Sequence, residues 1–173
     1  MQRVAFLAAL RRFIPIYGSE NIVYFDEGSF AAQTYRPHAY ALRGVKVYGD
    51  VQGKREQKTN LLMAQRRKSG EWLAPLLFKG TCVMETVLGW IENCLLKELK
   101  KPSLIIMDNA PIHNKKAIAD LLKKHGHAML SLPPYSPDLN PIEQSFGILK
   151  RRRMFLPTGS SLDTLFSSDC YLE

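Results

Sequence analysis

Residues 81–108 read TCVMETVLGWIENCLLKELKKPSLIIMD and contain two kinds of hydrophobic pattern in succession. Apolar residues first recur at helical spacing, until Pro102 ends the pattern. A short, fully apolar run then leads to Asp108, which is typical of a buried strand. The stretch therefore predicts a helix over residues 81–100 and a central strand over residues 103–108.

The segments on either side follow the same two patterns. Residues 21–26 form a continuous apolar run rich in β-formers, which predicts another central strand, and the Glu27-Gly28-Ser29 that follows predicts a turn. Downstream, residues 115–124 predict a helix and residues 127–132 predict a last strand. Three further strand-like stretches are separated by turn residues and resemble antiparallel hairpins, namely residues 44–50, 58–66 and 72–79. Hairpin strands followed by alternating helices and strands predict an α/β fold, a mixed sheet of about five strands flanked by helices.

The length of 173 residues is that of one domain, which we place at residues 21–155. Residues 1–20 predict an N-terminal helix or the remnant of a linker, because Arg11 and Arg12 interrupt an apolar run that otherwise resembles a signal peptide. Residues 156–173 predict an irregular C-terminal tail. Apolar runs fall short of the roughly 18 residues that a membrane-spanning helix needs, which predicts a soluble protein.

The composition favours a polyanionic partner. The chain has 24 Lys plus Arg against 16 Asp plus Glu, a net charge of +8, which suits nucleic acid or an anionic membrane. Its three cysteines, Cys82, Cys94 and Cys170, contain no Cys-x-x-Cys pair. This pattern argues against a disulfide framework or a zinc cluster and favours a reducing, cytoplasmic setting.

Two aspartates occupy matching positions. Asp26 and Asp108 each follow an apolar strand, where a carboxylate is costly to desolvate unless a cation or hydrogen-bond donors compensate it. A single aspartate after a strand is usually a turn residue. Two at equivalent positions indicate a shared site as readily as two turns.

Glu143 is the third candidate carboxylate. It follows Asn140 and Pro141, which suit the cap and first position of a helix. One interpretation is therefore a capping box, in which the Glu143 carboxylate accepts from the Asn140 backbone N–H. The alternative comes from helical spacing, which places one set of residues towards the core (Ile142, Phe146, Leu149) and another on an adjacent face suited to DNA (Glu143, Gly147, Lys150).

Three carboxylates at one sheet edge repel one another unless they hold hard divalent cations, for which oxygen is the matched ligand. Two Mg²⁺ ions are the natural candidates, with Asp26, Asp108 and Glu143 as their ligands. Such a pair activates the attacking oxygen and stabilises the leaving oxygen in a phosphodiester displacement. A basic, DNA-binding protein would perform that reaction.

Three motifs carry these carboxylates in order. They are Tyr24-Phe-Asp26-Glu-Gly-Ser, Met107-Asp108-Asn-Ala-Pro-Ile-His113 and Tyr135-Ser-Pro-Asp-Leu-Asn-Pro-Ile-Glu143-Gln-Ser-Phe. Together they resemble the motifs of mariner-type DDE transposases, in the bacterial insertion-sequence branch. The short separation of Asp108 and Glu143 also resembles that branch.

The resemblance covers roughly residues 20–155 and implies a ribonuclease H-like fold. It also implies that Asp26, Asp108 and Glu143 ligate two Mg²⁺ or Mn²⁺ ions. The implied reaction cleaves strands at the terminal inverted repeats of an element and uses the freed 3′-hydroxyl to attack double-stranded target DNA. Members of the family act as dimers on paired ends, which implies a homodimer associated with the bacterial nucleoid.

Two departures from the family pattern leave other functions open. Relatives carry helix-turn-helix modules for which residues 1–20 are too short, so we expect end recognition in a separately encoded part. Residues 155–173 do not continue as the helix that relatives suggest. The alternatives are a ribonuclease H-like nuclease or resolvase without strand transfer, and a non-catalytic DNA-binding remnant of a transposase.

Further residues are candidates for DNA contact. Asn109 and His113 flank the second carboxylate, where they would orient a metal ligand or meet a phosphate. Basic residues cluster on the predicted hairpins and after Glu143, and either form a solvated face or contact the DNA backbone: Lys54, Arg55, Lys58, Arg66, Arg67, Lys150, Arg151 and Arg152.

Other residues are expected to be structural. Glu27 should point away from Asp26 by strand alternation and is left out of the metal set. His125 and His127 lack a third zinc-like ligand and are expected at the surface. Trp72 and Trp90 are expected in the core rather than stacked on bases.

Overall fold

The computed structural model describes residues 2–31, 40–48, 58–109, 114–157 and 160–166. Their strands form a five-stranded sheet in the order β3-β2-β1-β4-β5. The strands are β1 Ile22–Phe30, β2 Thr59–Arg66, β3 Trp72–Lys79, β4 Leu104–Met107 and β5 Ala128–Ser131. β1, β2 and β3 pair antiparallel, whereas β1, β4 and β5 pair parallel, so the predicted mixed sheet is confirmed.

The helices pack on both faces of this sheet. They are α1 Gln2–Tyr17, α2 Met84–Trp90, α3 Leu96–Glu98, α4 Lys115–Lys124 and α5 Ile142–Phe155. A π-helical segment, Ile91–Leu95, joins α2 to α3 without a break, which confirms the predicted helix over residues 81–100 in all but its ends. In the part of the chain that the structure describes, no helix is long and apolar enough to cross a membrane.

Strand alternation divides the core into two layers. Val23 and Phe25 face the layer that contains α2, where the Phe25 and Trp90 rings have centroids 5.0 Å apart. Ile22 and Tyr24 face the opposite layer, which contains buried residues of α1 and α5. Trp90 is buried and its Nε1 donates to the Ala74 carbonyl over 2.7 Å, so its predicted core position is confirmed.

The register of β1 determines how the aspartates meet. Tyr24 pairs with Ile106 of β4, and continuing this register by two residues brings Asp26 level with Asp108. β1 does not end at Asp26, as the sequence pattern suggested, but continues to Phe30. The reason is that β2 pairs with β1 along this whole length and satisfies its backbone groups beyond the end of β4.

The predicted strand over residues 44–50 is wrong for residues 44–48, which form no strand. Val45 and Val47 alternate but are exposed, since no strand of the sheet pairs with these residues and an apolar alternation forms a strand only when it finds a partner. Residues 49 and 50 lie outside the described residues.

Both flanking segments contribute to the core. α1 is longer than the apolar run suggested and buries Phe6 and Leu10 in the layer that contains α5. In the predicted irregular tail, a 3₁₀ turn over Leu162–Phe166 buries Leu165 in the same layer. These contacts join both segments to the core, while the predicted domain boundaries stay a prediction.

The expectation that His127 lies at the surface is wrong. Its side chain is buried, and Nδ1 accepts the Ser103 backbone N–H over 3.1 Å. Burial lowers the pKa of His127, with a smaller contribution from the charge of His125. The ring therefore satisfies the backbone at the start of β4, a structural role.

Candidate active site

Asp26 is half-buried in the middle of β1, and both of its oxygens accept hydrogen bonds. The Glu27 backbone N–H donates to Oδ1 and Asn140 Nδ2 donates to Oδ2, each over 2.7 Å. The pKa of Asp26 is nevertheless raised to about 7, first by burial and to a smaller extent by the charges of Asp108 and Glu143, against these two hydrogen bonds. Asp26 therefore lies close enough to Asp108 and Glu143 for their charges to raise its pKa. A cation bound among the three carboxylates would favour the ionised form of Asp26.

Asn140 has a role that the sequence did not reveal. α5 begins at Ile142 without a side-chain cap, and the Asn140 N–H donates to the Pro137 carbonyl over 2.9 Å. The capping-box interpretation is therefore wrong, because the N–H that Glu143 would have needed is already bonded. The Asn140 side chain instead turns towards Asp26; it is only 4% exposed, and its Oδ1 has no hydrogen-bond partner among the described residues.

Asp108 directly follows the last residue of β4 and lies at the sheet edge beside Asp26. The next residue, Asn109, donates from Nδ2 to the Leu132 carbonyl and accepts from Lys115 Nζ at Oδ1. These bonds tie the end of β4 to the end of β5 and to the first residue of α4. Asn109 thus holds the backbone beside Asp108, and its predicted contact with DNA stays a prediction.

Glu143 reaches this edge because α5 packs closely on β1. A Cβ built on Gly28 would lie 3.2 Å from Cδ1 of Phe146, so the Phe146 ring packs into the space that a side chain at position 28 would occupy. The predicted helical faces are confirmed: Ile142, Phe146 and Leu149 are buried, and Glu143, Gly147 and Lys150 line the cleft beside Asp26. The sequence pattern placed Gly28 in a turn and missed this contact.

The cleft has a volume of about 840 Å³ and lies between the sheet edge, α5 and the proline-rich segment of residues 132–141. Its lining includes the three candidate carboxylates together with two polar neighbours, namely Asp26, Asp108, Glu143, Asn140 and Lys150. Within the described ranges, no three His, Cys, Asp or Glu side chains are arranged to hold a metal ion as they stand. The carboxylates share a cleft rather than a closed coordination sphere.

The donor set nevertheless fits a hard divalent cation. Every candidate ligand is an oxygen, the type that Mg²⁺ and Mn²⁺ prefer. Burial is the first cause of the raised pKa of Asp26, and the charges of Asp108 and Glu143 add to it, as expected of neighbouring carboxylates without a compensating charge. The buried, unpartnered Oδ1 of Asn140 supplies a further oxygen at the same place.

Glu27 lies on the other face of β1, as alternation predicts. The Cys82 thiol donates a hydrogen bond to its carboxylate, and the pKa of Cys82 is raised to about 12, first by burial and then by this bond and the charge of Glu27. Glu27 thus interacts with Cys82, which packs against the layer that contains α2.

Eight of the ten predicted DNA contacts separate into three groups. Lys150 and Asn109 line the cleft. Lys58, Arg67 and Arg151 are exposed but do not line it. Lys54, Arg55 and His113 lie outside the described residues.

Two further predicted contacts are engaged within the protein. Arg66 donates from Nε to Glu71 Oε2 over 2.8 Å and from Nη2 to the Glu98 carbonyl over 3.4 Å. Arg152 lies over the Trp72 ring, with its guanidinium carbon 5.8 Å from the ring centroid. Neither side chain is brought to the cleft, and their contact with DNA stays a prediction.

Most of the sequence matches a known protein family. The family described as DDE superfamily endonuclease matches residues 21–164. A search of the curated proteins finds no match. The sequence match includes all three candidate carboxylates, Asp26, Asp108 and Glu143.

Several solved structures share the fold. A pre-cleavage Mos1 transpososome superposes with a TM-score of 0.71 at 22% identity, covering 95% of this chain and 53% of that chain. For the Mos1 transposase paired-end complex with left transposon end, the TM-score is 0.72 and the identity 19%, with coverage of 98% and 53%. The mariner Mos1 paired-end complex with Mg gives 0.71 and 20%, with coverage of 95% and 51%. These likenesses confirm the ribonuclease H-like fold, and the chain spans about half the length of the proteins it resembles.

Proposed function

Because the chain belongs to the DDE superfamily endonucleases, we propose that Asp26, Asp108 and Glu143 form the active site of a cut-and-paste DNA transposase. The reaction proposed is metal-dependent strand cleavage followed by strand transfer. The observation that carries it is the convergence of the three carboxylates on one cleft, two through strand register and the third through the packing of α5.

The cofactor proposed is a pair of Mg²⁺ or Mn²⁺ ions held by these carboxylates. Mos1 paired-end complexes have been solved with Mg and with Mn, which supports the choice of cation. When bound, such ions activate the attacking oxygen and stabilise the leaving oxygen of an in-line displacement. The chain itself aligns the ligands: the sheet holds the aspartates side by side, and Asn140 fixes one oxygen of Asp26.

The substrate proposed is double-stranded DNA, both the terminal inverted repeats of an element and its target. The net charge of +8 and the exposed Lys150 at the cleft support this choice, since a cation beside the carboxylates would bind the phosphates next to the reacting bond. Lys58, Arg67 and Arg151 are proposed as outer backbone contacts. The partners proposed are a second copy of the chain and a separately encoded helix-turn-helix part, and the location is the bacterial cytoplasm at the nucleoid.

The direct test is nicking of a supercoiled plasmid in the presence of Mn²⁺ or Mg²⁺. We expect Asp26→Asn and Glu143→Gln each to reduce the nicking rate by about 100-fold or more, because each removes a ligand from the metal site. Glu85→Gln, which removes an exposed carboxylate at the start of α2, is the matched control and should nick like the wild type. Equal nicking by all four proteins would contradict the proposed site.

Strand transfer is tested by supplying an oligonucleotide duplex with a free 3′-hydroxyl and looking for its covalent joining to the plasmid. Joining that requires Asp26 and Glu143 supports the transposase. Nicking without joining would favour a nuclease or resolvase. Salt-sensitive DNA binding without either reaction would favour the non-catalytic remnant.

A further inference from the structure

Tyr135 has the most unusual position on the rim of the cleft. Its side chain is 100% exposed, and its backbone has a φ of +52°, in the left-handed region that residues with a Cβ rarely adopt. It lines the same cleft as the three carboxylates. Exposure of an aromatic ring to water does not stabilise the fold, and the positive φ of Tyr135 adds backbone strain. The exposed position of this ring is therefore unfavourable for folding on both counts.

The backbone around Tyr135 is anchored on both sides. Before it, Leu132 is buried and Pro134 restricts the chain. After it, Ser136 is 5% exposed and its Oγ donates to the Pro134 carbonyl over 3.1 Å. Asp138, two residues further, forms an ion pair with Arg3 of α1. The ring is therefore held at a fixed place on a stiff segment rather than on a freely moving loop.

A merely structural turn does not account for this choice of residue. Asparagine and glycine adopt a positive φ far more readily than tyrosine, and either would close the same turn. Tyr135 differs from these residues in its aromatic ring, and this ring is exposed to solvent. A molecule that enters the cleft is the remaining partner for it.

We propose that Tyr135 is a stacking platform for a DNA base that has left the duplex beside the reacting phosphate. Aromatic rings bind unstacked bases of any sequence, whereas a paired duplex keeps the faces of its bases covered. Lys150, which lines the same cleft and is exposed, supplies a cation for a phosphate of the bound DNA. The inference rests on the proposed DNA-cleaving function, to which it adds recognition of an unpaired nucleotide.

The test compares binding of two DNA duplexes that differ only in one unpaired base at a central nick, measured by fluorescence anisotropy with the full chain. The wild type should prefer the DNA with the unpaired base by about ten-fold. Tyr135→Phe should keep this preference, because it keeps the ring. Tyr135→Ala and Tyr135→Asn should lose it while binding the fully paired duplex as the wild type does.

The asparagine variant separates stacking from folding. Since Asn accepts a positive φ, its melting temperature should equal or exceed that of the wild type. A preference that survives in Tyr135→Asn, or that the wild type never has, would overturn the inference.

Plasmid nicking by the same preparations distinguishes this failure from that of the proposed function. Carboxylate-dependent nicking without any unpaired-base preference refutes only the role of Tyr135. Absence of nicking in the wild type refutes the proposed catalysis, whatever the binding result.

Discussion

The two halves of the candidate site are built in different ways. Asp26 lies on β1 and Asp108 directly follows the neighbouring parallel strand β4, so the hydrogen-bond ladder between these strands sets the register that brings them together. Glu143 is exposed on a helix, and its place depends on how α5 packs on the sheet, where Phe146 closely approaches Gly28. The sheet half should therefore tolerate changes around it, whereas the helix half should respond to small changes in packing.

The largest effect is expected from the sheet half. Asp108→Asn should abolish Mn²⁺ binding in a calorimetric titration, because it removes a charged ligand next to Asp26. Glu143→Gln should weaken binding by about ten-fold and leave the two aspartates in place. The melting temperature of each apo protein checks that the fold is retained. Equal loss of Mn²⁺ affinity in the two variants would mean that the sheet half and the helix half contribute equally to metal binding.

Gly28→Ala should displace α5, and with it Glu143, without changing any of the three carboxylates. The new Cβ would stand 3.2 Å from the Phe146 ring, and such overpacking costs about 1–3 kcal/mol of unfolding free energy. We expect α5 to shift, Mn²⁺ affinity to fall and nicking to slow, as measured by chemical denaturation, calorimetry and plasmid cleavage.

The double variant Gly28→Ala with Phe146→Leu provides the control for this effect, since a smaller side chain leaves room for the added methyl. The cost of Gly28→Ala should be smaller in the Phe146→Leu background, a coupling that a double-mutant cycle measures. Strictly additive costs would show that the ring contact does not position α5.

Asp26 should make stability depend on pH. Its pKa of about 7 lies above the ordinary value of 3.8, so the folded protein binds the proton more tightly than the unfolded chain. Without divalent cations, the unfolding free energy should therefore fall as the pH rises from about 4 to about 7. Urea denaturation across this range measures the slope, and Asp26→Asn isolates the part that belongs to Asp26. An identical slope in both proteins would contradict the assignment.

Asn140→Ala sharpens the same measurement. The amide donates to Asp26 and favours its charged form, so its removal should raise the pKa of Asp26 further. The falling part of the stability curve should then extend to higher pH. Asn114→Ala is a matched control, since Asn114 instead accepts the Ala117 N–H at the start of α4; it should leave the upper end of the curve unchanged.

The sequence predicted the elements whose formation depends on local pattern. Helical spacing placed α5 with the correct face towards the core, and the apolar runs before Asp26 and Asp108 became adjacent strands. The failures concern long-range partners: β1 extends past Asp26 because β2 pairs with it, and residues 44–48 form no strand because they find no such partner.

The candidate site divides along the same line. Three carboxylates in ordered motifs were recognisable from the sequence, and the structure brings them to one cleft. Gly28 and Asn140 were misjudged, the first as part of a turn and the second as a helix cap. Each has its contact across the fold, with Phe146 and Asp26 respectively, and neither contact leaves a periodic signal in the sequence.

The smallest effect is expected at Gly147, on the exposed side of α5. A Cβ there would meet nothing within 4 Å, in contrast to Gly28, so Gly147→Ala should raise the unfolding free energy by about 0.5–1 kcal/mol through helix propensity alone. If Gly147 leaves room for a DNA backbone in the cleft, the same change should weaken DNA binding while Mn²⁺ affinity stays unchanged. Anisotropy and calorimetry on one preparation separate the two effects. If the variant is more stable and binds DNA as the wild type does, the DNA backbone does not approach this turn of α5. Lys150 would then be the phosphate contact that this helix supplies to the cleft.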